Sequence, residues 1–403
     1  MGGVRMHVLV SAYACHPVEG SEPGVGWHIL LGALSGADRV TLLTRANNVA
    51  EIREALSSVH RAKCTILGHD LHPVLLRLKK CLPGGTQAYY WAWQVAARRL
   101  VRQLHSRTPF DVSHHATFAV DWAPTATSSL PAEVAKVWGP VGGATLCPRP
   151  LLRELGPRGL GVEALRVLLG AIGRATNGKT NARRSALVIA QNNDDARAFR
   201  GIASNLLVEP NAFLDPATLP LRDAVNVDQH LIVGVGRLIP LKGWSIALRM
   251  LSRLPEYFRL HIYGSGPELE RLQGLARRLG VDGRVAFMGH RARAETLQAV
   301  SRARCVVFTS LHDSAPGAVA EAIAIGTPVV GLGIGGTRQI LNASRRGSIV
   351  SPRAPDIAGA LAAAVLEISS QPPSPRWNST RVPRLVAEWY RIALGGGEWH
   401  GND

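Results

Sequence analysis

The stretch from Ile232 to Glu321 constrains the fold more than any other part of the chain. It reads IVGVGRLIPLKG at 232–243, IYGSGPELERL at 262–272, VAFMGH at 285–290 and DSAPGAVAEAIAIGTPVV at 313–330. Each apolar run ends in a glycine-containing segment and is followed by a helical pattern. This alternation is typical of a parallel α/β domain, in which ligands bind at the carboxyl ends of the strands.

Strand-like apolar runs recur through the whole chain, with helical patterns between them. They lie at 6–12, 39–44, 110–115, 135–138 and 186–190, and then at 230–235, 259–263, 284–288, 304–309 and 328–331. A length of 403 residues is enough for two domains with a core each. Residues 206–216 contain Pro and Asn, and we interpret them as the inter-domain connection. The sequence therefore predicts α/β domains at 1–208 and 209–372, followed by a C-terminal segment at 373–403.

The chain carries a formal net charge of +17, and one segment is basic throughout. Residues 71–110 contain seven Lys or Arg and no Asp or Glu, together with a cluster of aromatic residues at Tyr89, Tyr90, Trp91 and Trp93. Such a segment is compatible with nucleic acid, an anionic membrane or anionic substrates as partners. A solvated basic face is the preferred interpretation and peripheral membrane contact is the second. No nucleic-acid partner is predicted, because no recognised nucleic-acid motif is present.

The N-terminus, the apolar runs and the cysteines of the chain indicate its cellular location. No apolar run reaches the length of a membrane-spanning helix, and the N-terminus MGGVRMHVLVSAY lacks the features of a secretory signal. The five cysteines are scattered without CxxC spacing, so thiols are expected rather than a disulfide framework or a zinc site. These features predict a cytoplasmic protein, with any membrane contact at the inner membrane surface. Neither a metal ion nor a cofactor is predicted.

Two cations follow the glycine-ended strand at 230–235. Arg237 and Lys242 flank the sequence LIPL, and a helix that begins near Gly243 points its positive end the same way. A guanidinium and an ammonium in this position would neutralise a diphosphate. The alternative is two surface cations in an ordinary loop. The next glycine-containing loop, GSGP at 264–267, is a weak phosphate signal, because glycines also make plain turns.

Asp313 and Glu321 form a spaced acidic pair in the second half of the chain. Glu321 falls within an apolar helical pattern and Asp313 within the loop before it, with Gly317 between them. An unpaired charge in an apolar segment is costly, so Glu321 is expected to bind a partner. That partner is either a pair of vicinal hydroxyls, as in ribose or hexose, or the side chain of a neighbouring basic residue.

Further candidate residues follow strands of the first half. The loop after the first strand contains three glycines: Gly20, Gly24 and Gly26. Their spacing is not that of the dinucleotide fingerprint, which disfavours a Rossmann dehydrogenase. His114 and His115 end the strand at 110–115, where an imidazole can contact a substrate and titrate near neutrality. Gly142 lies in WGPVGG, a glycine turn after another strand.

Together these residues resemble glycosyltransferase family 4, a family of the GT-B fold. The resemblance is densest from Val233 to Gly336 and is carried by GVGRLIPLKG, YGSGPELERL, RVAFMGH, the spaced acidic pair and EAIAIGTPVVGLGIGGTRQIL. In the first half, GSEPGVGW, HHATF and WGPVGG are similar to a bacterial subset of that family. The resemblance implies an α/β GT-B fold with two Rossmann-like domains, parallel sheets and an inter-domain cleft. It also implies that the C-terminal segment crosses back to the N-terminal domain.

The resemblance implies a role for each candidate residue, with a UDP- or GDP-sugar held mainly by the C-terminal domain. The donor-binding residues would be Arg237 and Lys242 at the diphosphate, Glu321 at the ribose, and Gly266, Gly317 and His290 beside them. The catalytic residues near the reacting centre would be His115, His114 and Asp313, the last at the donor sugar. The loop against donor phosphate and acceptor would contain Gly24, Glu22, Gly26 and Gly142.

The implied function is a metal-independent, retaining hexosyltransferase that moves a sugar to an acceptor hydroxyl, with a small secondary metabolite as acceptor. Two features depart from the family pattern: Asp313 replaces the first Glu, and Ser314-Ala315-Pro316 replaces Gly-Phe-Gly. Pro316 removes a backbone N–H that could contact sugar or phosphate. The open alternatives are a catalytically impaired sugar-nucleotide-binding protein, a membrane-associated transferase with a lipid-linked acceptor, and a GT-B epimerase or phosphorylase.

Overall fold

The computed structural model describes residues 6–81, 84–222 and 226–396, which form two parallel sheets of seven and six strands. The strands are β1 (His7–Ser11), β2 (Arg39–Thr44), β3 (Cys64–Gly68), β4 (Val112–His115), β5 (Ala135–Val141), β6 (Leu187–Ala190), β7 (Leu206–Val208), β8 (Asp228–Val235), β9 (Arg259–Tyr263), β10 (Val285–Gly289), β11 (Ala303–Phe308), β12 (Val329–Leu332) and β13 (Ser348–Val350). Their orders are β3-β2-β1-β4-β5-β6-β7 and β10-β9-β8-β11-β12-β13. The strand order reverses between β1 and β4 in the first sheet and between β8 and β11 in the second.

Helices connect successive strands, as parallel pairing requires. They are α1 (Ser21–Gly36), α2 (Val49–Ala55), α3 (Ser58–Lys63), α4 (Pro73–Cys81), α5 (Gly85–Arg107), α6 (Gly156–Gly173), α7 (Lys179–Arg184), α8 (Asn193–Arg197), α9 (Trp244–Leu251), α10 (Leu269–Arg278), α11 (Arg293–Arg302), α12 (Gly317–Ile325), α13 (Gly335–Ser344), α14 (Ile357–Glu367) and α15 (Val382–Ala393). A five-residue π-helical turn, Arg174–Gly178, links α6 to α7.

The first sheet is covered on both faces, which is why β1 is a continuous buried apolar run. Alternate residues of β1 point to opposite faces. Val8 belongs to the core shared with α1 and α15, and Leu9 to the core shared with α5. The α1–α15 contact is close, because a Cβ at Gly32 would lie only 2.8 Å from Cγ2 of Val386. The amphipathic C-terminal helix is therefore part of the core of the first sheet.

Among the described residues, the chain divides into two compact units. The first comprises Met1–Ala144, Leu168–Phe213 and Ser379–Asp403 and contains the seven-stranded sheet. The second comprises Thr145–Val167 and Leu214–Asn378 and contains the six-stranded sheet. The prediction of two α/β units with parallel sheets is confirmed.

The unit boundaries differ from the expected ones in three places. Residues 145–167 pack with the second unit, because Leu151 and Leu155 belong to its apolar core. Residues 206–208 form the edge strand β7 instead of part of a connection. The second unit ends at Asn378, since Leu214 and Trp377 share a backbone hydrogen bond of 2.8 Å.

The basic segment at 71–110 contributes most of its aromatic side chains to the core. Tyr89, Tyr90 and Trp93 of α5 are at most 4% exposed, whereas Trp91 is 45% exposed. Among the described side chains of this segment, three of these four rings are therefore not available for contact with nucleic acid or membrane, and the side chains of residues 78–83 lie outside the described part of the chain. The segment instead presents a basic outer face of α5 to solvent.

The described residues contain neither a candidate membrane span nor a candidate metal cluster, and four of their cysteines are free thiols. None of their helices has the length and apolar character needed to cross a membrane. No three or more His, Cys, Asp or Glu side chains lie together in a way that would hold a metal ion within 6–81, 84–222 and 226–396. Cys15, Cys64, Cys147 and Cys305 are free thiols.

Candidate functional site

The second sheet offers a ligand site where its strand order reverses, between β8 and β11. Such a reversal opens a crevice beyond the carboxyl ends of the strands. β8 ends at Val235 and continues through Gly236 to Arg237, whose side chain is exposed. β11 ends at Phe308 and continues into the loop that contains Asp313. Two predicted site residues, Arg237 and Asp313, thus follow adjacent strands.

Hydrogen bonds hold the loops after β8 and β11 against each other. The Thr309 hydroxyl donates to the Lys242 carbonyl at 3.0 Å. The Ser310 hydroxyl donates to the Leu241 carbonyl at 3.2 Å. A Cβ at Gly243 would lie 2.2 Å from the carbonyl oxygen of Thr309, so only glycine allows the loops to approach this closely. These contacts fix the backbone from which the Lys242 side chain projects.

Lys242 and Asp313 form an ion pair in this crevice. Their Nζ and Oδ2 atoms are 2.5 Å apart, and the side chains are 19% and 23% exposed. The ammonium also lies 5.5 Å from the centroid of the Phe308 ring. Arg237 forms no side-chain hydrogen bond or ion pair with the described part of the chain. The structure thus pairs Lys242, predicted at the diphosphate, with Asp313, predicted at the donor sugar. The guanidinium of Arg237 is left available to bind an anion.

Glu321 of α12 is paired with Arg293 of α11. Arg293 Nη2 and Nε lie 2.8 and 2.9 Å from Oε1 of Glu321. Arg293 Nη1 also donates to the Thr218 hydroxyl at 3.2 Å. Burial raises the pKa of Glu321, and Arg293 counteracts this shift. The basic neighbour considered for Glu321 is therefore present, and a ribose at this carboxylate must either share it with Arg293 or displace Arg293.

Glu321→Gln is expected to weaken nucleoside-diphosphate binding by roughly 0.5–1.5 kcal/mol, because an amide oxygen accepts weaker hydrogen bonds than a carboxylate. Arg293→Gln is the matched variant, since it removes the competing partner and leaves the carboxylate charged. It should preserve or strengthen binding. Isothermal titration calorimetry compares the two variants. If both bind with wild-type affinity, Glu321 serves only as the partner of Arg293.

The other predicted donor-binding residues of this unit lie in different surroundings. A Cβ at Gly266 would lie 2.4 Å from the carbonyl oxygen of Leu238, so loop packing is a sufficient reason for this glycine. A Cβ at Gly317, in the first turn of α12, would meet no described atom within 4 Å. His290 directly follows β10 and is exposed. Gly317 therefore leaves open space near the Asp313 loop, whereas Gly266 supports the loop after β8.

A polar cluster next to Asp313, in which Glu163 is buried, was not predicted from the sequence. Glu163 and Arg166 of α6 form an ion pair with two contacts of 2.7 Å, and both side chains act electrostatically on His312. Burial, assisted by Arg166, lowers the pKa of His312 to about 4, so its imidazole is neutral. Its Nε2 is buried without a hydrogen-bond partner in the described chain. No sequence signal pointed to this cluster, because it depends on residues 145–167 packing with the second unit.

His114 and His115 end β4, are fully buried and point to opposite faces of the first sheet. His114 Nε2 lies 2.8 Å from the Gly139 carbonyl oxygen, and Nδ1 lies 3.2 Å from the Tyr390 hydroxyl. His115 Nε2 lies 3.1 Å from the Tyr90 hydroxyl, and its Nδ1 has no partner among the described residues.

Burial controls the charge of both histidines. It lowers the pKa of His114 to about 4 and the pKa of His115 to about 3. The expectation that they titrate near neutrality is therefore wrong, because a buried imidazolium loses its hydration. His114 is held at both ring nitrogens by the protein itself, whereas His115 retains one ring nitrogen that no described residue binds.

Glu22 lies in the first turn of α1 and binds two other segments of the first unit. Its Oε2 accepts from the backbone N–H of Phe118 at 2.6 Å, and its Oε1 accepts from Nδ2 of Asn211 at 2.6 Å. Burial raises the pKa of Glu22, and these two hydrogen bonds oppose the shift. Asn211 was not predicted. Glu22 thus fixes the loop after β4 at the start of α1.

The predicted glycines of the first unit allow close backbone contacts. A Cβ at Gly26 would lie 2.2 Å from the carbonyl oxygen of Ala14, and one at Gly24 would lie 2.6 Å from a carbonyl oxygen of the preceding loop. Gly142 exchanges backbone hydrogen bonds of 2.9 and 3.0 Å with Ala119 and Asp121. Close backbone contacts therefore explain the glycines at 24 and 26, and backbone hydrogen bonds fix the position of Gly142.

Comparison with known proteins finds a family model that matches a segment of the second unit. Residues 221–378 match the model of the family described as Glycosyl transferases group 1. The matched segment contains all of β8–β13 and the four charged residues Arg237, Lys242, Asp313 and Glu321. The predicted resemblance to a glycosyltransferase is therefore confirmed for this segment.

A curated relative matches part of the chain. The D-inositol 3-phosphate glycosyltransferase of Mycolicibacterium smegmatis is 32% identical over 200 residues, which cover 47% of this chain and 42% of that protein. The chain thus spans less than half the length of this relative.

Solved structures share the fold over nearly the whole chain. Sucrose-phosphate synthase from Thermosynechococcus elongatus has a TM-score of 0.60 at 16% identity, with 97% of each chain covered. Alr3699/HepE of Anabaena, solved in complex with UDP, has a TM-score of 0.56 at 16% identity, with 95% of this chain and 98% of that chain covered. At such identities the likeness establishes the fold alone. The predicted GT-B fold, with two Rossmann-like domains and parallel sheets, is confirmed.

Proposed function

We propose that the chain is a retaining glycosyltransferase of family 4 that uses a nucleoside-diphosphate sugar as donor. The observation that carries the proposal is the ion pair of 2.5 Å between Lys242 and Asp313, where the strand order of the second sheet reverses. A cation for the diphosphate and a carboxylate for the sugar are there held side by side. The match to Glycosyl transferases group 1 and the relative named a glycosyltransferase support this reading.

In this proposal the side chains of Lys242 and Arg237 bind the diphosphate of the donor. The positive end of α12 adds to their charge. When Lys242 turns to phosphate, the Asp313 carboxylate becomes available to hydroxyls of the donor sugar. Glu321 then receives the ribose, and the open space at Gly317 leaves room for the ligand. The UDP complex of HepE supports a uridine nucleotide, with GDP as the alternative.

The chemistry is a substitution on one face of the sugar. The anomeric C–O bond to the diphosphate breaks as oxocarbenium character builds, and the acceptor oxygen forms the new bond on the same face. The acceptor proton passes to the departing phosphate oxygen. Lys242 and Arg237 stabilise the charge that develops on the leaving group, an electrostatic task that needs no metal ion in this proposal. His115, neutral and with one free ring nitrogen among the described residues, is the candidate for contact with the reacting centre.

The acceptor in this proposal is a small hydroxylated metabolite. The name of the M. smegmatis relative, a D-inositol 3-phosphate glycosyltransferase, supports a polyol as the acceptor class. The departures from the family pattern at 314–316 lie on the donor side and leave this choice unaffected.

A thermal-shift screen of nucleoside diphosphates and their sugars tests the donor, because a ligand that binds the native state raises its apparent stability. We expect UDP or GDP to raise the melting temperature and the corresponding nucleotide sugar to be hydrolysed slowly without acceptor. No shift with any nucleoside diphosphate would contradict the proposal.

A catalytically impaired sugar-nucleotide-binding protein is the second candidate. Pro316 in the donor loop and the Arg293 contact at Glu321 favour it, since both reduce the groups free to hold the donor. This candidate predicts a thermal shift with nucleoside diphosphate but neither donor hydrolysis nor transfer to a panel of polyols.

A further inference from the structure

Helix α6 presents an exposed aliphatic stripe. Its members are Val162, Leu165, Leu168, Leu169 and Ile172, with exposed fractions of 68%, 56%, 58%, 58% and 56%. Spacings of three and four residues place these side chains on one face of the helix. Monomeric soluble proteins rarely leave such a contiguous apolar face open to water. The aliphatic stripe therefore requires a partner.

The exposed charged residues of the chain stretch that contains the aliphatic stripe have one sign. Between residues 155 and 193 the only acidic residue is Glu163, which is buried and paired with Arg166. Arg158 is exposed four residues before Val162. Three exposed cations follow in α7: Lys179, Arg183 and Arg184. The surface thus combines an apolar stripe with cations at both ends and no exposed carboxylate along this stretch.

We propose that α6 lies in the interface of an anionic phospholipid membrane, with the aliphatic stripe among the acyl chains and the flanking cations at the headgroups. An amphipathic helix with cations beside an apolar face binds in the plane of the interface. An anionic lipid supplies acyl chains for the aliphatic stripe and negatively charged headgroups for the flanking cations. A net charge of +17 adds long-range attraction to such a surface. The proposal concerns attachment and holds whichever acceptor the site takes.

A second copy of the chain is a poorer occupant. A two-fold contact would set the same patch against itself. Arg158, Lys179 and Arg183 of both copies would then approach each other without an exposed carboxylate of this stretch to pair with. The basic segment at 71–110 is also a poorer candidate for the membrane, since most of its aromatic rings are buried.

Co-sedimentation of the full chain with vesicles tests the proposal. We expect binding to phosphatidylcholine vesicles that contain phosphatidylglycerol, and binding weaker by about tenfold or more to pure phosphatidylcholine or at high salt. Leu165→Gln with Leu169→Gln should reduce binding at least about tenfold, because less apolar surface enters the membrane. The matched control is Val18→Gln with Leu221→Gln, two aliphatic residues that are 84% and 92% exposed elsewhere.

Two charge-reversal variants measure the electrostatic contribution to vesicle binding. Lys179→Glu with Arg183→Glu should reduce binding to anionic vesicles by at least about tenfold. Arg277→Glu with Arg278→Glu, exposed cations of α10, changes the net charge equally and should reduce it much less. All four double variants replace exposed side chains, and circular dichroism verifies that they fold.

Three results would overturn the proposal. They are absence of vesicle binding by the wild-type chain, wild-type binding by the Leu165→Gln/Leu169→Gln variant, and a dimer in light scattering that this variant abolishes. The last result would identify a second copy as the occupant. Nucleoside-diphosphate binding, measured without vesicles, should be the same in the wild type and the stripe variant. If the wild-type chain does not bind nucleoside diphosphate, the proposed function is contradicted, but the proposal of membrane binding is unaffected.

Discussion

The free energy of unfolding of the first unit is expected to fall by roughly 4–5 kcal/mol between about pH 6.5 and about pH 4.5. The cause is the pair of buried histidines at the end of β4. Their folded pKa values are about 4 for His114 and about 3 for His115, against the ordinary histidine pKa of 6.5. Below pH 6.5 the unfolded chain binds two protons that the folded chain excludes, so stability decreases as the pH falls toward the folded pKa values.

Denaturant titrations at several pH values measure this dependence. His114→Gln and His115→Gln should each reduce the slope of stability against pH by up to about 1.4 kcal/mol per pH unit, since each removes one titrating group. His290→Gln is the control, because that imidazole is exposed at the end of β10. An unchanged slope in both buried variants would show that the acid sensitivity has another origin. His115→Gln also reports on the proposed reaction, since it should reduce turnover whereas His114→Gln should affect mainly stability.

Lys242→Ala is expected to weaken nucleoside-diphosphate binding by about 1.5–3 kcal/mol, the range for hydrogen bonds to charged groups. This corresponds to roughly a 10–150-fold increase in Kd. Calorimetry on the folded variant measures the change. Arg302→Ala, an exposed cation of α11, removes the same charge and should leave the affinity unchanged. Unchanged affinity in Lys242→Ala would remove Lys242 from the diphosphate site.

Asp313→Asn separates the two halves of the ion pair. It keeps Lys242 but removes the carboxylate that holds it at 2.5 Å. Diphosphate affinity should therefore be kept or strengthened, whereas turnover should fall by about tenfold or more if the carboxylate holds the donor sugar. Asp313→Glu, which restores the longer side chain typical of the resembled family, should retain turnover. Wild-type turnover in Asp313→Asn would mean that the residue serves only to hold Lys242.

Local sequence pattern was sufficient wherever a strand is buried on both faces. β1 and β11 are mostly apolar because helices cover both faces of their sheets, and they were predicted to within two residues. The three strands that were not predicted, β3, β7 and β13, each lie at a sheet edge. Their residues are mostly only partly buried, so their apolar signal is weaker than that of the central strands.

Local sequence pattern also placed the charged residues of the candidate site. Arg237 and Asp313 follow predicted strands, and parallel strands carry their successor loops to one edge of a sheet. Which side chains pair there was not predictable, because pairing depends on loop contacts such as that between Gly243 and Thr309. The partner of Glu321 was foreseen only as a basic residue, and the tertiary structure identifies it as Arg293.

The sequence by itself determined the two-unit parallel α/β fold, because hydrophobic periodicity and glycine-ended strands are local properties of the chain. Tertiary structure alone decided three features. Residues 145–167 join the second unit and bring Glu163 and Arg166 to His312. The histidines of β4 are neutral because packing removes their water. The aliphatic face of α6 is left exposed. Each depends on which distant segments meet, and a local pattern carries no information about that.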